Sequence, residues 1–182
     1  MWPAGGLSQV CMNILAIEGS TRIDSATAIM LKHKIGKEPL GTKIRMKRLL
    51  ELNIPLFTDQ RHDRDWKKSD DLEELLADMI WADQIILASP LYWYSVSHLM
   101  KNFIDHWTYY LRHETHPLKV VMKEKKFSFL VVGHGEESEL TKPVFESLRY
   151  TVKFIGAECS AQEYFSEHFV RTQGEAEHSK PI

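Results

Sequence analysis

The chain has 182 residues, of which 43% are hydrophobic and 26% are charged, a composition that fits one globular domain with a sizeable core. Its formal net charge of -2 gives no indication of nucleic-acid binding, which usually demands a basic face, and no apolar run approaches the length of a membrane helix. The two cysteines, Cys11 and Cys159, lie far apart and outside any Cys-x-x-Cys motif, so they support no disulfide framework, zinc site or iron–sulfur cluster. A reducing cytoplasm is therefore the expected location.

The first strand is predicted just after a short leader. Residues 1–11 lack the positive start and the long apolar run of a secretory signal, so we expect a flexible extension before a domain over residues 12–170. Residues 14–17 are all apolar and are followed by Glu18 and Gly19, as in a strand buried on both faces of a parallel sheet. Gly19 permits a sharp turn into the next element.

The loop after this strand is rich in groups that bind anions. Arg22 supplies a guanidinium, and a helix predicted over residues 25–35 would aim its unpaired N–H groups and positive dipole end at the same place. Neither the dinucleotide fingerprint Gly-x-Gly-x-x-Gly nor the P-loop Gly-x-x-x-x-Gly-Lys-Ser/Thr is present. The competing interpretation is an ordinary strand-to-helix turn, because Ser and Thr are common helix caps. The hydroxyl groups of this loop belong to Ser20, Thr21, Ser25 and Thr27.

The next two elements are an edge strand and a surface helix. Alternation over residues 42–48 predicts a strand near the edge of the sheet, with Ile44 turned inward. An apolar stripe over residues 70–82 predicts a helix, and Asp70 and Glu73 have the spacing of a capping box at its start.

A second informative loop spans residues 89–97, directly after a buried strand predicted over residues 84–88. Open parallel sheets bind their ligands at the carboxyl ends of the strands, so aromatic side chains here favour a flat ring as the ligand. The alternative is plain aromatic packing, the commoner role of any single aromatic residue. The helix that follows has His106 outside its apolar stripe. The three aromatic residues of the loop are Tyr92, Trp93 and Tyr94.

A third loop follows the buried strand predicted over residues 127–132. Glycines on both sides of His134 would let the backbone approach a planar ligand closely, and His134 is placed either at the ring edge or on the surface. A helix over residues 140–155 and a last strand over residues 157–165 complete the domain, and residues 171–182 form a polar tail. The loop residues that matter are Gly133, His134 and Gly135.

Two stretches carry a resemblance to a known family. Gly-Ser-x-Arg-x-x-Ser-x-Thr in the first loop resembles the FMN-phosphate loop of the flavodoxin-like NAD(P)H-dependent FMN and quinone reductases. Ser-Pro-Leu-Tyr-Trp-x-Ser-Val-Ser-x-x-Leu-Met-Lys-Asn-Phe-Ile-Asp, which begins at Ser89, resembles the family stretch that binds the flavin chain and ring. The resemblance covers residues 12–165. Together with the alternation of strands and helices, it implies a five-stranded parallel sheet in the order 2-1-3-4-5, with helices on both faces.

The resemblance implies a set of FMN ligands in three groups. The phosphate would be held by Ser20, Arg22, Ser25 and Thr27. The ribityl chain and ring would lie against Pro90, Leu91, Tyr92, Trp93 and Ser95. The other edge of the ring would lie near Gly133, His134 and Gly135. Family loops often carry Asn where this chain has Ser25-Ala26, which puts one phosphate hydrogen bond in question.

The function implied is an FMN-dependent NAD(P)H oxidoreductase. NADPH or NADH would deliver hydride to the flavin and leave, and a quinone, azo, nitro or free-flavin acceptor would then take its place. No side chain is assigned a catalytic role, and no metal is expected. The resemblance further implies a homodimer or homotetramer, with the aromatic residues of the third predicted helix either at the interface or in the core; these are Trp107, Tyr109 and Tyr110.

Two other functions remain as alternatives. A flavodoxin-type electron carrier would hold FMN without oxidising NAD(P)H, but such carriers are strongly acidic and this chain is nearly balanced in charge. An interaction module that has lost its flavin is disfavoured by the intact loops.

Overall fold

The computed structural model describes residues 12–59, 69–112, 114–135 and 139–178, without the side chains of 139 and 173–178. The expected extension over residues 1–11 lies outside these ranges. One five-stranded sheet forms the centre of the fold, and its strands are β1 (Asn13–Glu18), β2 (Lys43–Arg48), β3 (Gln84–Pro90), β4 (Lys126–Gly133) and β5 (Glu158–Ser166). The sheet is parallel throughout and has the order β2-β1-β3-β4-β5, which confirms the predicted architecture.

Helices connect the strands and cover both faces of the sheet, as right-handed parallel crossovers require. The helices are α1 (Ala26–Ile35), α2 (Asp70–Trp81), α3 (His98–Tyr110), α4 (Leu118–Val121), α5 (Lys142–Phe154) and α6 (Glu167–His178). One apolar layer packs α2, α3 and α5 against one face, and the other layer packs α1 and α6 against the opposite face. Among the residues described, no helix combines the length and apolar character needed to cross a bilayer.

Helix α6 is an element that the sequence analysis did not predict, and it runs across the domain boundary expected at residue 170. Val170 is buried against the α1 face of the sheet, and the rings of Phe165 and Phe169 stack with centroids 6.2 Å apart. One buried valine and one ring pair give too weak a periodic pattern to indicate a helix from sequence.

The start of α2 corrects the predicted capping box. Asp70 is the first helical residue, and Ser69 holds the N-cap position without a side-chain cap bond. The Ser69 hydroxyl instead donates to the carbonyl of Asn53 at 2.8 Å, and Asp71 accepts the Asn53 N–H at 2.6 Å. These side chains therefore join the helix to the segment after β2.

Burial corrects two further expectations and decides between the alternatives left open for a third group of residues. Ile44, expected to face inward, is 37% exposed, because β2 is an edge strand. His106, expected on the outer side of α3, is buried, and its Nε2 lies 2.8 Å from the carbonyl oxygen of Pro55. Trp107 and Tyr110 belong to the core, which leaves neither available for a subunit interface.

Candidate functional site

The loops that follow β1, β3 and β4 meet at one edge of the sheet. The three strands are neighbours in the sheet, so their carboxyl ends lie side by side. Gly19 N–H donates to the carbonyl of Ala88 at 2.8 Å, and Leu91 N–H donates to the carbonyl of Val132 at 2.7 Å. The structure thus brings together the three stretches that the sequence singled out.

The first loop leads into α1 through Ser25, the N-cap residue. Ser25 Oγ accepts the Ala28 N–H at 2.9 Å, and Ser20 Oγ accepts the Arg22 N–H at 3.1 Å. The N–H groups of Ala26 and Thr27 make no hydrogen bond to any residue that the structure describes. The start of α1 therefore keeps backbone donors for an anion, as a helix N-terminus does.

The carboxylate of Glu18 lies beneath this loop and was not identified from sequence. Glu18 is completely buried. Its Oε1 accepts the Ser20 N–H at 3.1 Å and the Ser25 hydroxyl at 3.0 Å, and its Oε2 accepts from Arg48 Nε at 3.2 Å. The signal in the sequence was a single acidic residue that ends an apolar strand.

Arg48, at the end of β2, connects that carboxylate to the loop. Its Nη2 donates to the carbonyl of Ile23 at 3.0 Å, and its Nη1 donates to Glu51 at 2.9 Å. Burial alone would lower the pKa of the Arg48 guanidinium, but hydrogen bonds and attraction to Glu18 and Glu51 outweigh burial and raise it. Arg48 is thus a fixed positive charge beside the first loop.

The second loop contains a reverse turn whose two central residues are aromatic. Tyr92 and Ser95 exchange backbone hydrogen bonds at 2.9 and 3.0 Å. Between them, Trp93 and Tyr94 both have positive φ, 49° and 63°, the pattern of a type I′ turn. Trp93 is 94% exposed, so an indole ring projects into solvent at the edge of the site.

Two hydroxyl contacts join the first and second loops. The Tyr92 hydroxyl lies 3.4 Å from Thr21 Oγ1. The Ser97 hydroxyl donates to the carbonyl of Gly19 and accepts the Met100 N–H at 3.1 Å, and the Ser97 N–H donates to Ser89 Oγ at 2.9 Å. Ser97 therefore links the turn after β1, the end of β3 and the start of α3.

The third loop has two glycines with different surroundings. A Cβ on Gly133 would lie 2.9 Å from the Tyr164 hydroxyl and 3.1 Å from Leu91 Cβ, so packing within the protein accounts for this glycine. A Cβ on Gly135 would meet nothing within 4 Å, and its φ of +93° favours glycine. Open space for a ligand is thus present beside Gly135, and the protein's own side chains fill the space beside Gly133.

Helix α6 adds a carboxylate between the first and third loops. Glu167 lies 3.7 Å from Arg22, and Arg171 donates to it at 2.6 Å. The hydrogen bond from Arg171 lowers the pKa of Glu167, and attraction to Arg22 and His134 lowers it further. Arg22 and His134, predicted on separate loops, thus share one acidic neighbour.

The part of the chain that the structure describes also contains a cavity away from the three loops. A cavity of about 350 Å³ opens at the opposite edge of the sheet, beside Met12, Leu40 and Lys126, and is separate from these loops. Within the described chain, no group of three or more His, Cys, Asp and Glu side chains is arranged to hold a metal ion.

Comparison with known sequences identifies related proteins. The family model of the NADPH-dependent FMN reductases matches residues 12–150. YwqN of Bacillus subtilis strain 168, described as an NAD(P)H-dependent FMN-containing oxidoreductase, is 26% identical over 148 residues, 80% of each chain.

Solved structures show the same fold at lower identity. The apo form of the NADH:FMN oxidoreductase EmoB superposes with a TM-score of 0.64 and 20% identity, over 93% of this chain and 92% of that one. The NAD(P)H:quinone oxidoreductase of Methanothermobacter marburgensis superposes with a TM-score of 0.64 and 14% identity, over 94% of this chain and 99% of that one. Because the family model covers most of the sequence, the chain belongs to the NADPH-dependent FMN reductase family, enzymes that use FMN and NAD(P)H.

Proposed function

We propose that FMN binds along the carboxyl edge of the sheet, with its phosphate on the first loop and its ring between the second and third. The observation that carries this proposal is the convergence of the three loops around backbone N–H groups that have no partner among the described residues. An anion with a planar ring attached matches the polarity and the shape of that edge.

The first loop fits a phosphate through a limited set of donors. The N–H groups of Ala26 and Thr27 stand at the positive end of α1, and the Arg22 side chain is 60% exposed beside them. Arg22 is within reach because its contact with Glu167, at 3.7 Å, is a weak surface pair. The predicted phosphate ligands Ser20 and Ser25 lie in the same loop, where each hydroxyl oxygen accepts a backbone N–H.

The second and third loops fit the ring. The backbone of Pro90 and Leu91 ends β3, and the turn held by Tyr92 and Ser95 presents the rings of Trp93 and Tyr94 to the outside. Gly135 leaves open space on the far side. Aromatic side chains favour offset stacking on a flat ligand, so this turn orients the ring and keeps water from one side of it.

Bound FMN supplies hydride chemistry between NAD(P)H and a second substrate. The side chains of this chain bind and orient, and Tyr92 and His134 stay candidates for a proton source. We propose a planar acceptor, a quinone, azo, nitro or free-flavin compound. The names of the structural neighbours support this class, since one is an NADH:FMN oxidoreductase and another an NAD(P)H:quinone oxidoreductase.

Two further properties belong to the proposal. The small number of cysteines supports a reducing cytoplasm as its location. We also propose a homodimer or homotetramer. With Trp107 and Tyr110 buried, the interface needs other apolar side chains, and Tyr150 and Phe154 on α5 are 60% and 59% exposed.

The test is the visible spectrum of the protein after FMN is added and excess is removed, followed by anaerobic NADPH or NADH. A flavin band that either nucleotide bleaches is the expected result. A band that neither bleaches would favour an electron carrier, and no flavin binding at any concentration would reject the proposal.

The variant Arg22→Gln tests whether the phosphate of FMN binds at the first loop. It should weaken FMN binding by about tenfold and leave riboflavin, which lacks the phosphate, nearly unchanged, because one charge-assisted bond is lost. Lys32→Gln, at the opposite end of α1, is the matched control and should change neither affinity.

A further inference from the structure

Glu18 is a buried carboxylate directly beneath the loop assigned to the phosphate. We propose that it competes with FMN for the donors of that loop, so that FMN is held as an exchangeable ligand instead of a permanently bound one. This inference rests on the proposed function, because it concerns the same phosphate site.

The hydrogen bonds of Ser25 support the competition. Its hydroxyl has a single proton, which it donates to Glu18 Oε1 at 3.0 Å, while its oxygen accepts the Ala28 N–H at 2.9 Å. The Ser20 N–H is also directed at Glu18, at 3.1 Å. Two of the donors that surround the predicted phosphate site therefore already bind an anion that belongs to the chain itself.

Charge strengthens this effect. Glu18 has no exposed surface, so water screens its negative charge poorly, and a phosphate on the same donors would lie close to it. Arg48 offsets the repulsion in part, through its bond to Glu18 at 3.2 Å. The same guanidinium binds the carbonyl of Ile23 at 3.0 Å, so Arg48 keeps the shape of the loop as well.

Glu51 provides a matched control for Glu18. Both carboxylates accept a hydrogen bond from Arg48, but Glu51 is 63% exposed and contacts none of the loop donors. Replacing Glu51 thus removes a negative charge that lies beside the same arginine, and it leaves the competition for the donors of Ser20 and Ser25 unchanged.

The experiment measures the affinities of the apoprotein for FMN and for riboflavin by flavin fluorescence. Glu18→Gln keeps the shape and an acceptor oxygen and removes the charge. It should tighten FMN binding by about tenfold or more, and riboflavin binding by less than about twofold, because only FMN carries the phosphate. Glu51→Gln should leave both affinities within about twofold of the original protein. An unchanged or weaker FMN affinity in Glu18→Gln would overturn the inference.

Arg48→Gln supplies a second line of evidence if Glu18→Gln folds poorly. With Glu18 left uncompensated, FMN affinity should fall by about tenfold and riboflavin affinity by less than about twofold, because only FMN carries the phosphate. An equal loss of affinity for the two flavins would contradict competition, since Arg48 would then act only through the shape of the loop. If the original protein binds neither flavin, the proposed function fails; if it binds both and Glu18→Gln leaves their affinity ratio unchanged, the inference alone fails.

Discussion

Ser25 performs two tasks at the start of α1. As the N-cap residue it accepts the Ala28 N–H, and as a donor it satisfies the buried carboxylate of Glu18. A helix cap contributes about 1 kcal/mol, and a buried carboxylate that loses a donor is destabilised further. A single hydroxyl thus supports the helix and the anion beneath it.

Ser25→Ala should lower the free energy of unfolding by about 1–2 kcal/mol, because the cap and the donor to Glu18 are lost together. Urea unfolding followed by circular dichroism measures the change. Ser69→Ala is the control: Ser69 is the N-cap of α2 but makes no cap bond, so its replacement should cost only about 0.5 kcal/mol. Equal losses for the two variants would contradict this account.

The residues that escaped prediction share a physical reason. Glu18 and Arg48 are 30 positions apart, and only the pairing of β1 with β2 makes them partners. His106 is buried because the carbonyl of Pro55 lies beside it, which helical periodicity does not reveal. By contrast, the hydroxyl-rich loop was predictable, because its signal is local.

At the scale of elements, the turn over Trp93 and Tyr94 is under conformational strain. Residues with side chains cost about 1 kcal/mol each in the left-handed region, and Asn-Gly is the usual pair in a type I′ turn. Strain of this kind is retained where the strained side chains serve a site.

Replacing Trp93 and Tyr94 together by Asn and Gly should raise the free energy of unfolding by about 1 kcal/mol, because the strain is relieved. The same variant should bind riboflavin more weakly, since the aromatic surface is lost. Chemical unfolding and flavin titration test the two effects. Leu40→Asn, which replaces a 91% exposed apolar side chain at the opposite edge of the sheet, should give neither effect. A double variant less stable than the original protein would refute the assignment of strain.

Helix α6 provides a prediction for pH. The pKa of Glu167 is lowered in the fold, so its contribution to stability is present above its ordinary pKa and is lost as the pH falls through the lowered value. At neutral pH, Glu167→Gln should cost about 0.5 kcal/mol, as for a partly exposed ion pair. The difference in the free energy of unfolding between Glu167→Gln and the original protein should shrink as the pH is lowered from about 5 to about 3.

The Arg171→Gln background serves as the control for this experiment. Arg171 is the main cause of the lowered pKa, so the effect of Glu167→Gln should be smaller there. If the free energy of unfolding of Glu167→Gln differs from that of the original protein by the same amount from neutral to acidic pH, Glu167 acts through packing and not through its charge.

Elements were predictable to the extent that they carry periodic apolar residues. The strands β1, β3 and β4 are nearly continuous apolar runs, as expected for a central parallel sheet, and they appear where expected. The sequence of helix α6 has no comparable stripe, and Val170 is buried against the rest of the fold. The capping box predicted at Asp70 is absent because the neighbouring side chains of Ser69 and Asp71 form hydrogen bonds with the backbone of Asn53, which is distant in sequence.

For the whole molecule, sheet order determines where the three loops meet. The order β2-β1-β3-β4-β5 places the ends of β1, β3 and β4 side by side, so three loops separated in sequence form one surface. This surface was predictable once the order was inferred, because each loop is recognisable alone. The contacts between the loops were not predictable, since they depend on single hydroxyls such as those of Ser97 and Tyr92.

The position of Ser97 has a mechanical consequence. Because one residue bonds the turn after β1, the end of β3 and the first turn of α3, the three cannot open independently. We therefore expect an anion bound at the first loop to slow the opening of the aromatic loop as well. In the proposed complex with FMN, the phosphate and the ring would then bind as one cooperative unit, because ordering the first loop also orders the ring pocket.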